Sequence, residues 1–213
     1  MAFAAAALSL TACGVNDIPT KQVAAQAKWA DVQAAYQRRA DLVPQLVATV
    51  QGEATQERLV LVGVTEARAK ATSVTIDASK LSDPAAFQQF QQAQDGLSSS
   101  LGRLLAVSEN YPTLQSSQAF LTLQSQLEGT ENRINIARHD YNAAVQDYNT
   151  TLRVLPTSIW AATFYHDEKP MQLFTATDAA QAAPTVSFNF NNPPGAGAQP
   201  GATPPTPPAT NGQ

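Results

Sequence analysis

The chain has few of the residues on which metal and catalytic sites are usually built. Its 213 residues include one cysteine, Cys13, and two histidines, His139 and His166. A single cysteine excludes an intrachain disulfide and any metal site assembled from several cysteines. Neither histidine follows a glutamate by three residues, as the dinuclear metal sites of helical bundles require. We therefore expect no metal site and no cofactor.

Charged residues are also few, and glycine-containing functional motifs are missing. Charged residues make up 14% of the chain, the net charge is -4, and the densest basic pair is Arg38-Arg39. A nucleic-acid-binding protein normally carries a basic face, so we expect no nucleic-acid partner. The sequence has no Gly-x-Ser-x-Gly motif and no glycine loop placed to cradle phosphate after a strand. These absences favour a protein that is not an enzyme.

The chain is rich in apolar residues at helical spacing. Apolar residues make up 44% of it, and between Pro112 and Pro156 they recur at steps of three and four, which predicts one helix over residues 113–155. At 1.5 Å per residue this helix is roughly 60 Å long and needs partner helices in water. Its apolar seam consists of Phe120, Leu123, Leu127, Thr130, Ile134, Ala137, Tyr141, Val145 or Ala144, Tyr148, Leu152 and Leu155.

An earlier helix contains Pro44 within its apolar seam. The seam runs through the proline without losing register, which favours one kinked helix over a break with Asp41 as the N-cap. A proline at this position forfeits the hydrogen bond to Ala40. The seam of this helix consists of Trp29, Val32, Tyr36, Ala40 or Arg39, Val43, Val47 and Val50.

Two further helices lie between these. One is predicted over residues 53–79, and whether Gly52 forms a turn or lies inside a continuous helix stays open. The other begins at Asp83-Pro84, where aspartate caps the helix and proline takes its first position, and it ends before Tyr111-Pro112. Its seam consists of Phe87, Phe90, Leu97, Leu101, Leu104 and Val107 or Ser108.

These four segments predict an all-α fold, an antiparallel four-helix bundle with one very long C-terminal helix and a disordered C-terminal tail. A helical turn or two around Trp160 and a short strand at 185–190 are expected beyond Pro156. The tail is too rich in proline and glycine to form a core. The predicted parts are a lipoprotein-type signal (1–12), a tether (13–19), the bundle (20–156), a short apolar extension (157–190) and the disordered tail (191–213).

The first residues predict a membrane anchor. Residues 1–10 are apolar, too short to cross a bilayer and suited to a secretory signal. The sequence Leu-Thr-Ala-Cys that ends at Cys13 looks like a bacterial lipobox, in which the cysteine is acylated and becomes the first mature residue. A plain signal peptide with an incidental cysteine is the alternative. No Lys or Arg precedes Cys13, so either the true start lies upstream or the signal is truncated, and Gly14 is typical of lipoproteins sorted to an outer membrane, if the cell has one.

Several stretches resemble the LemA family of bacterial membrane-associated proteins. They are RRADLVPQLV (38–47), VTEARA (64–69), LGRLLAV (101–107) followed by YP (111–112), LEGTENRI (127–134), RHDYN (138–142) and YN (148–149). Gln45 departs from the family, in which asparagine is more usual after the proline. The resemblance implies a helical bundle attached to a membrane by its N-terminus, where the lipobox would replace the transmembrane helix of many relatives. It implies no established biochemical activity.

A group of polar residues interrupts the apolar seams. An unpaired charge inside a bundle costs several kcal/mol, so the simplest interpretation is a buried network that satisfies itself and fixes helix register. The alternative is a docking patch for a partner protein or an envelope ligand. The group consists of Arg38, Arg39, Asp41, Glu66, Arg68, Glu131, Asn132 and Arg133.

The function expected from the sequence is that of a non-enzymatic lipoprotein of the bacterial cell envelope. Its bundle would bind or scaffold an unknown protein partner, and its N-terminal lipid would hold it to the membrane. Whether it also forms homo-oligomers stays open. One alternative is an enzyme that uses Glu131 and Asn132, which would require both side chains to line an open cavity. Another is a self-assembling structural protein with an exposed apolar stripe.

Overall fold

The computed structural model describes residues 15–54 and 56–175. The predicted signal, Cys13, the strand expected at 185–190 and the tail at 191–213 lie outside these ranges. Within them the chain forms six α-helices, a 3-10 turn at Ala78–Lys80 and no strand, which confirms the all-α prediction. The helices are α1 (Asp17–Glu53), α2 (Arg58–Ser73), α3 (Pro84–Ser108), α4 (Pro112–Gln115), α5 (Gln118–Thr151) and α6 (Thr157–Thr163).

Helix α1 runs through Pro44 without a break, so the single-helix interpretation is confirmed. It begins at Asp17, inside the segment predicted as a tether. Ile18 is fully buried and fixes this start in the core. Pro19 falls in the first turn, where backbone N–H groups have no helical acceptor, so its missing donor does not weaken the helix.

Helix α2 is shorter than the helix predicted over residues 53–79. Gly52 lies in the last turn of α1, and α2 begins only at Arg58. At its other end the chain turns to an extended conformation at Val74. Ile76 is then buried, and its carbonyl accepts a hydrogen bond from Trp29 Nε1 at 3.0 Å. Tertiary contacts at Ile76 therefore end the helix before Ser79.

Helix α3 begins as the sequence predicts. The Asp83 carboxylate accepts hydrogen bonds from the N–H groups of Ala85 at 2.9 Å and Ala86 at 3.3 Å, and Pro84 is the first helical residue. The helix ends at Ser108, ahead of Tyr111-Pro112. This cap satisfies two of the N–H groups that a helix leaves free at its start.

The helix predicted over residues 113–155 is two helices. Leu114 is fully buried in the short α4, and α5 starts only at Gln118. At the other end, α5 stops at Thr151, and the predicted seam residue Leu155 is 76% exposed. The residue before a proline avoids helical geometry, and Leu155 precedes Pro156. With 34 residues, α5 is also shorter than α1, which has 37.

The seam of α5 is otherwise correct, and it faces α1. The two helices run antiparallel, as Lys21 Nζ lies 3.1 Å from Asp147 Oδ2 and Lys28 Nζ lies 3.3 Å from Asp140 Oδ2. Helix α2 packs against α1 and α3. The nine buried seam positions are Phe120, Leu123, Leu127, Thr130, Ile134, Ala137, Tyr141, Val145 and Tyr148.

The core consists of two apolar clusters. The first, toward the start of α1, centres on aromatic side chains and includes Ile18, Trp29, Phe87, Tyr141 and Phe174. The second, toward the end of α1, is mostly aliphatic and includes Val43, Val64, Leu97, Leu114 and Leu127. No helix within residues 15–54 and 56–175 is both long and apolar enough to span a bilayer.

Candidate functional site

A layer of polar side chains separates the two apolar clusters. The seam of α5 is interrupted there by Thr130 and Glu131, and the layer crosses α1 at Arg39 and α3 at Gln94. We call these residues, with Ser98, the polar layer. The flanking cluster residues on each helix are Tyr36 and Val43 on α1, Phe90 and Leu97 on α3, and Leu127 and Ile134 on α5.

Arg39 is at the centre of this layer and is only 1% exposed. Its Nη1 donates to Glu131 Oε1 and to Ser98 Oγ, both at 2.6 Å. Its Nη2 donates to the side-chain oxygen of Gln94 at 3.0 Å and to the Gln94 carbonyl at 3.2 Å. The guanidinium carbon lies 5.1 Å from the centre of the Tyr36 ring. One buried arginine thus connects α1, α3 and α5.

Two further hydrogen bonds bring α2 into this arrangement. Gln94 Nε2 donates to the Ala71 carbonyl at 3.1 Å, and Arg68 Nε donates to the Ala40 carbonyl at 2.7 Å. The Ala40 carbonyl is the one that Pro44, which has no N–H, leaves without its helical donor. Arg68 supplies that missing donor from the neighbouring helix, so the proline in α1 and the arginine in α2 act as a pair.

The structure brings together three of the eight residues predicted as a network or docking patch. Arg39 and Glu131 form an ion pair, and Arg68 binds next to them at Ala40. The other five are exposed: Arg38, Asp41, Glu66, Asn132 and Arg133. Glu131 therefore binds Arg39, whereas Asn132 beside it faces solvent.

In the part of the chain that the structure describes, the acidic and histidine side chains form no cluster suited to a metal. His139 is exposed, and its Nδ1 lies 3.8 Å from Asp140 Oδ1. Among residues 15–54 and 56–175, no three His, Cys, Asp or Glu side chains lie close enough to hold an ion.

A second site joins α5 to the chain that follows α6. Two α5 asparagines bind this chain, residues 169–174, which we call the docked segment. Asn149 Nδ2 donates to the Met171 carbonyl at 3.0 Å, and its Oδ1 accepts from the Met171 N–H at 2.9 Å. Asn142 forms the same two bonds with Phe174, both at 2.9 Å. Each side-chain amide thus offers one donor and one acceptor to the backbone, as a neighbouring strand does.

The spacing of the two asparagines matches that of an extended chain. Seven helical residues advance about 10.5 Å, and three extended residues advance about 10 Å. Gln172, one of the two residues between the anchors, is held from two sides. Its N–H donates to the Leu81 carbonyl at 2.8 Å, and its carbonyl accepts from the Tyr141 hydroxyl at 3.0 Å. The docked segment is therefore fixed in one register.

Two side chains of the docked segment fill the first cluster. Met171 and Phe174 are both buried, whereas Leu173 between them is 40% exposed. The Arg138 guanidinium lies 4.6 Å from the centre of the Phe174 ring. The aromatic neighbours of Phe174, with their centroid distances, are Phe87 at 4.8 Å, Tyr141 at 5.6 Å and Trp29 at 6.1 Å.

Buried tyrosines donate hydrogen bonds at this site. Burial raises the pKa of Tyr141 above its ordinary value. Burial, and then the hydrogen bond to Glu168, raise the pKa of Tyr148. Both hydroxyls therefore keep their protons near neutral pH and act as donors, Tyr141 to Gln172 and Tyr148 to Glu168 Oε2 at 3.0 Å.

Sequence reasoning missed the docked segment. A signal for it exists in the two Tyr-Asn pairs at 141–142 and 148–149, because a spacing of seven places both asparagines on one helix face beside the buried seam. The segment itself gives no such signal, since Met171 and Phe174 are too few to define a period.

The resemblance seen in the sequence is confirmed by comparison with known proteins. The LemA family matches residues 28–188, which is most of the chain. The chain belongs to the LemA family.

Relatives of the matched region include magnetosome proteins. Magnetosome proteins MamQ 1 and MamQ 2 of Paramagnetospirillum magneticum are each 38% identical over 84 residues, covering 37% of this chain and 31% of theirs. Magnetosome protein MamQ of Magnetospirillum gryphiswaldense is 34% identical over 76 residues, covering 36% of this chain and 28% of its own. The chain thus matches less than a third of the length of these relatives.

Proposed function

We propose that this LemA-family protein is a non-enzymatic lipoprotein of the bacterial envelope whose helical domain is a scaffold for another protein. Its anchor is an acyl-modified Cys13, in the outer membrane where the cell has one. The lipobox sequence before Cys13 supports the anchor, as does the membrane attachment implied by the family.

The scaffold role is supported above all by the hydrogen bonds that the buried Arg39 makes to neighbouring helices. Arg39 is the one charged side chain that is buried within the described ranges. Its four hydrogen bonds all go to α3 and α5. A charged group that serves catalysis lies in a cleft, where it can reach a substrate. Here Arg39 holds helices together, which supports a rigid domain that presents its outer surface.

The same geometry speaks against an enzyme built on Glu131 and Asn132. A general base must reach the proton it removes. The Glu131 carboxylate accepts a hydrogen bond from Arg39 at 2.6 Å, and Asn132 lies in solvent. The exposed polar residues Arg38, Glu66 and Arg133 are instead available to a protein partner.

Replacing Cys13 with alanine tests the anchor. The C13A chain is expected to lose all incorporation of a labelled fatty acid and to leave the membrane fraction after an alkaline carbonate wash. Two or three acyl chains hold a protein stably in a bilayer, and the alanine variant cannot carry them. Thr11→Ala, which keeps a small residue before the cysteine, is the matched control and is expected to stay acylated. Retention of unacylated C13A through the wash contradicts the anchor.

A photo-reactive amino acid at Arg133 tests the scaffold role in intact cells. Arg133 is exposed and belongs to the polar group that α5 presents to solvent. Irradiation is expected to attach it to a discrete second protein. Placement at the exposed Gln146 of the same helix is the control and is expected to give less of that product. Adducts that contain only copies of this chain contradict the scaffold role and favour self-assembly.

A further inference from the structure

An uncharged, partly apolar stretch follows α5. The twelve residues 154–165 contain no charged side chain and no histidine. Of the ten large hydrophobic side chains that are exposed in the described ranges, four lie here: Val154 at 47%, Leu155 at 76%, Ile159 at 54% and Phe164 at 69%. Exposed apolar side chains usually occur singly, and a group of them marks a surface that contacts something else. We call these four residues the apolar patch.

The apolar patch lies at the end of the domain where α1 begins. Trp160 and Ala161 of α6 pack against the first cluster, which includes Ile18 of the first turn of α1. Just beyond α6, Glu168 Oε2 accepts a hydrogen bond from Gln22 Nε2 at 2.6 Å. Helix α6 therefore lies beside the start of α1.

This position places the patch near the proposed anchor. Cys13 precedes Asp17 by four residues, which span at most about 14 Å when fully extended. Acyl chains on Cys13 thus keep the start of α1 close to the bilayer surface, and α6 with it. Two exposed apolar side chains toward the other end of the domain, Leu59 at 88% and Val62 at 44%, lie on α2. The length of α1, about 55 Å, separates them from the anchor.

We propose that the apolar patch inserts into the boundary between headgroups and acyl chains of the phospholipid bilayer to which Cys13 attaches the protein. This inference rests on the proposed lipid anchor. Exposed aliphatic and aromatic side chains of a short helix are suited to that boundary, and Trp160 and Phe164, whose ring centres are 5.7 Å apart, add the aromatic groups that favour it. Arg153, exposed just before the patch, suits the anionic headgroups of such a surface.

Tryptophan fluorescence on vesicles tests the insertion. The full chain is coupled through Cys13, its only cysteine, to a maleimide-bearing lipid in vesicles of phosphatidylethanolamine and phosphatidylglycerol. Lipids brominated near the headgroup end of the acyl chain are expected to quench most of the Trp160 emission. Trp29 is 2% exposed in the core and remains unquenched. Trp160→Phe is expected to abolish the quenching, which assigns it to α6.

A pair of double variants separates this patch from general stickiness. The double variant Leu155→Ser with Ile159→Ser is expected to lose the quenching of Trp160, because it removes two apolar side chains of the patch. Both side chains are exposed, so their removal leaves the core intact. Leu59→Ser with Val62→Ser, at the far end, is expected to be quenched as strongly as the original chain. Unquenched Trp160 in the coupled original chain overturns the proposal, as does equal quenching in the two double variants.

Self-association is the remaining outcome, and it also overturns the proposal. If the uncoupled chain forms dimers that the Leu155→Ser and Ile159→Ser changes abolish, and Trp160 stays unquenched on vesicles, the patch binds a second copy. Chemical coupling makes this test independent of acylation in cells. If Cys13 proves not to be acylated in cells, the vesicle result is unaffected. If Trp160 is not quenched on vesicles, the proposed acylation of Cys13 is unaffected.

Discussion

Replacing Glu131 with alanine is expected to lower the free energy of unfolding by about 2–4 kcal/mol. The Arg39 side chain is only 2% exposed and would lose its one counter-charge, whereas the Glu131 side chain is 45% exposed. An unpaired buried charge is the costly partner of a broken ion pair. The remaining bonds to Gln94 and Ser98 keep the loss below the full cost of an isolated charge. Urea denaturation followed by circular dichroism measures the change.

Two variants show whether the charge of Arg39 is the cause. Arg39→Met removes the charge and keeps most of the volume, and in that background Glu131→Ala is expected to cost almost nothing. Glu128→Ala, at an exposed position one turn earlier on α5, is the matched control and is expected to change stability by less than about 0.5 kcal/mol. Equal effects of the Glu131 and Glu128 changes would contradict the account of the polar layer.

Replacing both Asn142 and Asn149 with alanine is expected to release the docked segment and to lower the free energy of unfolding by about 2–5 kcal/mol. Each asparagine satisfies one backbone N–H and one backbone C=O, so each change leaves two backbone groups without a partner. Release also exposes the Met171 and Phe174 side chains. Hydrogen exchange at the amides of residues 171 and 174 is expected to accelerate strongly, and it reports release directly.

Two matched changes separate amide pairing from a general effect on α5. Gln146→Ala alters an exposed amide between the two asparagines and is expected to leave exchange in the docked segment unchanged. Asn149→Asp keeps an acceptor for the Met171 N–H but directs a carboxylate at the Met171 carbonyl, so it is expected to weaken the segment about as much as alanine does. Unchanged exchange in the double alanine variant would show that side-chain burial alone holds the segment.

The helices were predictable because their signals are local and repeated. Nine positions of the α5 seam are buried as predicted, since each apolar residue three or four positions on strengthens the same period. Asp83 and Pro84 start α3 through bonds within three residues. The ends of α5 were not predictable in this way. Leu114 belongs to a separate turn because it is buried in the second cluster, a contact with distant residues that no local pattern reveals.

The polar layer was predictable as an interruption but not as a set of contacts. The α1 seam left Arg39 and Ala40 as alternatives for one position, and both are buried. Arg38, one residue earlier, is exposed. Adjacent helical residues differ by about 100° in direction, so a small rotation of α1 decides which arginine meets Glu131. That rotation depends on how all four long helices pack.

The side-chain amides of Asn142 and Asn149 bind the backbone of the docked segment at two points whose separation is fixed by α5. The two asparagine amides bind only backbone atoms, those of Met171 and Phe174. The side chains of Gln172 and Leu173 take no part in these bonds. The number of residues between Met171 and Phe174 cannot vary, because the helix sets the distance between the two amides. In homologous chains that retain both asparagines, we therefore expect insertions and deletions between positions 171 and 174 to be rarer than substitutions.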